Sequence, residues 1–328
     1  MIQKLLVIFL VCITANFLTG TLLKKENEWT YKQSYLQVVD YPHDWYLVGS
    51  SRTRMGISSQ LLCKELNQRV YNLSCSSFCM PSNWAQLESF LGLVTRKRLI
   101  VELAYNITSV NYYPTIASRW EYLLNYYESE RVDNNYSLRY TRNIIKNLLR
   151  PSFTPMDLIP GELQKEKLQA GFNKWGEGTD PIFQLTHRPT QNTNLHNRSE
   201  KLRNNYTIVL GTGKRNDYYL DRLQHLITTA HQNDNEIYFY IPTTLNETEA
   251  QMLASVWPYI PLSNRILTYE DPRFYQLMNE NLLFDEGHLN KVGSGLLTDI
   301  IIQQLRHKNV IPSSNKEPTA SPAASPQK

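Results

Sequence analysis

Short, largely apolar runs that do not alternate with polar residues recur along the body of the chain, and they constrain the fold more than any other feature. Residues 45–48 (Trp-Tyr-Leu-Val) are the clearest, closed by Gly49. Residues 70–73, 99–103 and 236–241 follow the same pattern, the last closed by Pro242. Runs of this kind suit strands buried on both faces, because a strand with one wet face alternates. Between them, the spacing predicts helices over residues 84–94 and 218–231. Asn246, with Glu249 three positions on, reads as a capping box that opens a further helix. Residues 266–269 read as a last core strand and residues 292–305 as a closing helix. Strands alternating with helices predict an α/β fold, a three-layer α/β/α domain around a doubly wound parallel sheet. Such sheets bind their ligands beyond the carboxyl ends of the strands.

The N-terminus carries a different signal. Residues 5–23 bear no charge, with Lys4 before them and Lys24 and Lys25 after. As a helix this run spans about 28 Å, close to a bilayer core. Three readings stand: an uncleaved membrane anchor over residues 1–25, a secretory signal cut near Thr14, Ala15 or Gly20, or a buried core helix. The first two place the body outside the cytoplasm. Basic residues at both ends leave the orientation unset. Of the body cysteines, Cys75 and Cys79 can close a short disulfide loop in an oxidising space, or Cys63, Cys75 and Cys79 can be three buried thiols. No Cys or His pair lies beside them with zinc-ligand spacing to complete a site, so no metal is expected. The formal charge of +4 is small for 328 residues, and no basic block is interleaved with aromatics, which argues against a nucleic-acid partner.

Residues 107–205 break the rhythm. They are rich in Tyr, Asn and Arg, with helical spacing over residues 120–127 and 140–149. Residues 171–180 (GFNKWGEGTD) form a glycine-punctuated loop in which Trp175 is expected to be exposed. An insertion this long in a compact domain usually has a function of its own or is disordered. It reads as a lid or substrate subdomain within an α/β domain covering residues 26–311. The tail, residues 312–328, is of low complexity and expected to be disordered.

Three short motifs carry chemistry. Gly49-Ser50-Ser51 follows the first strand, where a serine on a tight turn presents its hydroxyl above the sheet and its N–H to an oxyanion. Asp285-Glu286-Gly287-His288 precedes the closing helix, and a three-residue offset lets the carboxylate reach the imidazole and fix its tautomer. Asn106 ends the third strand, where its side chain can donate to an oxyanion; it also heads an Asn-Ile-Thr sequon, or can simply occupy a turn. A doubly wound sheet would bring all three to one end.

In this order the motifs resemble the SGNH (GDSL-like) hydrolase family. Its pattern is Gly-x-Ser after the first strand, Gly after the second, Asn after the third, and Asp-x-x-His before the last helix. Residues 103–106 (Leu-Ala-Tyr-Asn) are similar to the family's Leu-Gly-Gly-Asn, and 285–290 end in the typical His-Leu-Asn. Ser50 stands where the family's first motif carries Asp. Ser77 stands where the second carries Gly, which keeps a backbone N–H but would strain a turn of positive φ. Gly-Ser-Ser-Arg variants are similar to the branch that includes bacterial cell-envelope acyl-transfer proteins. The resemblance covers residues 44–106 and 206–305.

It implies a serine esterase or O-acyltransferase with Ser51 as nucleophile, His288 as general base and acid, and Asp285 as the group that orients the imidazole. The oxyanion hole would be the N–H groups of Ser51 and Ser77 with the Asn106 side chain. Arg52, Tyr105, Trp175 and Asn290 are candidate substrate contacts, with a surface salt bridge as the alternative for Arg52. No cofactor is implied. The expected partners are an acylated glycan or envelope polymer, the membrane through the N-terminal helix, and a membrane-bound acyltransferase. The alternative is a catalytically decayed scaffold that binds carbohydrate or serves envelope assembly.

Overall fold

The computed structural model describes residues 28–75, 84–104, 174–177, 198–211 and 213–311, together with Val11 and Thr14. Among the described residues four parallel strands form one sheet in the order β2-β1-β3-β4: β1 Trp45–Val48, β2 Val70–Asn72, β3 Arg98–Glu102 and β4 Glu236–Tyr240. β1 lies in the interior, so the chain first moves to β2 at one edge and then crosses back to β3 on the other side. Val48 pairs with Val101 and Glu102 with Tyr240, which aligns the carboxyl ends of β1, β3 and β4.

Every residue of β1 is fully buried. Successive strand residues point to opposite sides, so helices must cover both faces, and the unalternating run in the sequence has its cause here. α2 (Ser51–Gly56) and α3 (Ser59–Leu66) pack with the closing helix α8 (Lys291–His307). α4 (Trp84–Leu93) packs with α6 (Asp217–Gln232). α1 (Glu28–Val38) precedes the sheet, while α5 (Arg198–Leu210) packs on α7 (Glu247–Ala254). Residues 198–205, expected as the end of an insertion, are instead the opening turns of α5, with Leu202 and Asn205 buried.

Two expectations change. Residues 266–269 do not form a fifth strand. A single parallel bridge joins Arg265 to Phe239, and a 3-10 turn follows at Thr268–Glu270. The outer edge of β4 is satisfied another way: Asn264 Nδ2 donates to the Ile237 carbonyl at 2.9 Å and Ile266 N to Phe239 O at 2.8 Å. The capping box of α7 is only half formed. Asn246 Oδ1 accepts from Glu249 N at 2.9 Å, but the Glu249 carboxylate turns away to Arg52.

Of the apolar N-terminal run only Val11 and Thr14 are described, both exposed. Among the described residues no helix is long and apolar enough to cross a membrane. Cys75 is a buried free thiol donating to the Leu73 carbonyl, and Cys63 is free as well. Cys79, the helices expected at 120–127 and 140–149, and the tail 312–328 lie outside the described residues.

Candidate active site

The Gly49-Ser50-Ser51 turn is built at the carboxyl end of β1. Ser50 caps α2 with extended backbone, and its Oγ accepts from Arg52 N at 3.1 Å. Ser51 is thereby the first residue of α2. Gly49 is required by a close approach: a Cβ there would lie 2.0 Å from Thr53 Oγ1 and 2.6 Å from Glu102 Oε2.

The second motif sits in a closed loop. Leu283 and Leu289 form an antiparallel bridge, Phe284 N donates to His288 O at 2.9 Å, and Asn290 N donates to Leu282 O at 2.9 Å. This pinched turn holds Asp285 and His288 face to face. His288 Nδ1 is 2.8 Å from Asp285 Oδ1, which also accepts from Gly287 N at 2.8 Å. His288 Nε2 is 2.8 Å from Ser51 Oγ. Burial raises the Asp285 pKa, but the bond to His288, the charge of that ring and the N–H groups of Gly287 and His288 together outweigh it and hold the carboxyl below its ordinary range. An ionised carboxylate only accepts, so the Nδ1 hydrogen faces Asp285. In the neutral ring Nε2 is then the acceptor, aimed at the Ser51 hydroxyl.

The backbone N–H groups of the turn are divided unequally. Those of Ser50 and Thr53 donate to Glu102 Oε2, at 2.9 and 3.2 Å. That of Arg52 goes to Ser50 Oγ and that of Arg54 to Ser50 O. The N–H of Ser51 has no such acceptor among the described residues, which leaves it open to a developing oxyanion. Ser77, Tyr105 and Asn106 lie outside the described residues; β3 ends at Glu102 and Ala104 is the last residue described after it.

The remaining expected contacts are engaged by the protein itself. Arg52 is not a surface salt bridge. Its Nε donates to Glu102 Oε1 at 2.8 Å, Nη1 and Nη2 to the two oxygens of Glu249 at 2.8 and 2.6 Å, and Nη1 also to the Thr244 carbonyl. Asn290 is buried and caps α8: Oδ1 accepts from Val292 N and Gly293 N, both at 3.0 Å, while Nδ2 donates to Asn281 O at 2.7 Å. Trp175 is half-buried rather than exposed, with Lys174 Nζ 4.5 Å from its ring centre. Its carbonyl accepts from Asn72 N at 2.7 Å, so this segment docks alongside β2, on the side away from β1 among the described strands.

Several residues that organise the site carried no sequence signal beyond their type. Glu102 is the one charged residue in the otherwise apolar run 99–103, a pattern that could have marked it. Thr244 Oγ1 donates to Gly287 O at 2.6 Å and ties the β4–α7 loop to the Asp–His turn. Arg198, the first residue of α5, donates to the Glu286 carbonyl. Lys32 on α1 is fully buried and donates to Asn72 O and Ser74 O at 2.9 and 2.7 Å, fixing the exit of β2. Burial pushes its ammonium pKa down. A cleft of about 280 Å³ runs beside this machinery, lined by Met55, Ser58, Glu177, Phe284, Lys291 and neighbours. Among the described residues no group of three His, Cys, Asp or Glu side chains is placed to hold a metal ion.

Such a constellation can take a proton from a serine, hold the resulting imidazolium, and offer at least one N–H to an oxyanion. No protein-family model matches the chain, and no curated protein matches it.

Proposed function

We propose that this chain is a serine esterase or O-acyltransferase on an SGNH-like, doubly wound α/β/α scaffold, with Ser51, His288 and Asp285 as its triad. The observation that carries the reading is the continuous chain Asp285–His288–Ser51, made of two contacts of 2.8 Å, one within the Asp–His turn and one between His288 and Ser51 from opposite ends of the domain. Ser51 Oγ attacks an acyl carbonyl as Nε2 removes its proton. The tetrahedral oxyanion meets the Ser51 N–H, with Ser77 N–H and the Asn106 side chain as the further donors the motif order implies. His288 then returns the proton to the leaving alkoxide, and water or a second alcohol takes the acyl group from Ser51.

The substrate side of the proposal is an acyl ester, acetyl foremost, on an extracytoplasmic glycan or envelope polymer, with the domain tethered by its N-terminal segment. It is supported by the apolar run at residues 5–23 and by the aromatic-rich insertion. Aromatic faces with polar edges suit sugar rings. A fluorophosphonate probe tests the chemistry. Labelling that maps to Ser51 and disappears in Ser51→Ala is expected. A folded wild-type protein that stays unlabelled overturns it and leaves the non-catalytic carbohydrate-binding reading.

A further inference from the structure

We propose that Glu102 is a positioning residue for the Ser51 nucleophile, and that Arg52 and Glu249 complete a buried brace that sets the Ser51–His288 geometry; this rests on Ser51 being the nucleophile. The carboxylate of Glu102 is fully buried, directly beneath the turn. It accepts from Ser50 N, Thr53 N, Ser50 Oγ, Thr53 Oγ1 and Arg52 Nε. These donors come from residues 50, 52 and 53 and skip Ser51. One carboxylate therefore gathers the turn around the serine and leaves the serine's own N–H and hydroxyl outside the network.

Arg52 extends the brace. Its guanidinium lies between Glu102 and Glu249, and the Glu249 carboxylate is also nearly inaccessible to solvent. Glu249 belongs to α7, whose preceding loop carries Thr244. The Thr244 carbonyl accepts from Arg52, while its hydroxyl donates to Gly287 O inside the Asp–His turn. A continuous path of hydrogen bonds thus joins the turn that carries Ser51 to the turn that carries His288. Tyr240 adds a lateral support, its hydroxyl 2.7 Å from Thr53 Oγ1.

Stability alone is a weak reason to bury two carboxylates around one guanidinium, since packed apolar side chains commonly do as well or better. What ions supply here is direction, because charge-assisted bonds fix donors and acceptors in space. Gly49 fits the same account, since any side chain there would collide with Glu102. The motif that this chain resembles has Asp at the position of Ser50. Here the carboxylate at the turn arrives from β3 instead.

The test is Ser51-specific phosphonylation, in which Oγ displaces fluoride from phosphorus and its proton passes to His288. Rate at saturation and probe affinity are measured separately for wild type, Ser51→Ala, Glu102→Gln and Thr53→Val. Glu102→Gln keeps the shape but places an NH2 group among donors. It is expected to lower the saturating rate about 100-fold with affinity unchanged, as a nucleophile misplaced by about 1 Å would. Thr53→Val, which removes one donor without altering charge, is expected to fall in the same direction by less. A folded Glu102→Gln labelled at the wild-type rate overturns the brace while leaving Ser51 as nucleophile. If Glu102→Gln does not fold, wild-type behaviour of Thr53→Val overturns it. An unlabelled wild type overturns both proposals.

Discussion

His288 Nε2 stands 2.8 Å from Ser51 Oγ although the two residues are 237 positions apart in the chain. Neither side chain reaches the other by local geometry. Ser51 is delivered by β1 and the first turn of α2, and His288 by a loop pinched between Leu283 and Leu289. The contact depends on both turns being held, and each is held by a carboxylate: Glu102 under the serine, Asp285 behind the imidazole.

The first prediction concerns the reacting atoms. On a model ester, Ser51→Ala and His288→Ala should each lower kcat by roughly 10,000-fold or more, and the double variant should be little worse than either single one. Additive losses would show that the two side chains do not act as a unit.

The second concerns Asp285. Asp285→Asn should lower kcat roughly 10,000-fold by presenting the wrong tautomer to Ser51, with little change in KM. The wild-type carboxyl is held below its ordinary value of 3.8, so folding favours its charged form. That stabilisation is fully present above the ordinary value and is lost as pH falls through the lower folded one. The wild type should therefore melt above Asp285→Asn at about pH 6, and the gap should shrink below about pH 4. A gap that widens on acidification contradicts the assigned direction.

The apolar runs at 45–48 and 236–241 named their strands because parallel strands buried on both faces cannot alternate. The Asp-x-x-His spacing named its pair because three residues suffice to close that contact. What escaped the sequence depends on distant chain segments. Arg52 could not be assigned to Glu249, 197 residues away, from any local pattern. The capping-box pattern gives the Glu249 carboxylate a local role, yet only its backbone N–H takes part in the cap and the carboxylate goes to Arg52. The run at 266–269 has the composition of a strand, but the amide of Asn264 takes one of the carbonyls that a fifth strand would have used.

Asn290 gives the third prediction. With its oxygen on two N–H groups of α8 and its amide on Asn281 O, it serves the fold. Asn290→Ala should lower stability by about 0.5–2 kcal/mol, read by denaturant unfolding, through loss of the helix cap. Because Asn290 lies two residues beyond His288, kcat should fall with it while KM holds. A raised KM at unchanged stability would return Asn290 to substrate binding.

The fourth concerns Asn106, four residues beyond the end of β3 at Glu102. If it supplies the side-chain oxyanion donor, Asn106→Ala should lower kcat about 100-fold or more while leaving the melting temperature unchanged. An unaltered rate removes it from the proposed site.

The last prediction concerns how residues 174–177 attach to the domain. Residues 174–177 meet the edge of β2 through the Trp175 carbonyl, which accepts from Asn72 N and from Ser59 Oγ. Glu177 completes the attachment at the start of α3, where its carboxylate accepts from Ser58 Oγ, Ser59 Oγ and Gln60 N. An anion at a helix N-terminus is favourable there. Between them Gly176 has φ of +72°, and a Cβ would lie 2.3 Å from the Asn72 carbonyl. Gly176→Ala therefore meets both a backbone conformation that L residues avoid and a direct collision. It should release the segment from β2, lower stability by more than about 1 kcal/mol, and speed proteolysis between residues 174 and 177. Glu177→Gln removes only the charge and should cost about 0.3–1 kcal/mol. If the insertion governs access to Ser51, Gly176→Ala should also lose more activity on an acetylated polysaccharide than on a small soluble ester. Equal loss on both would confine this attachment to stability.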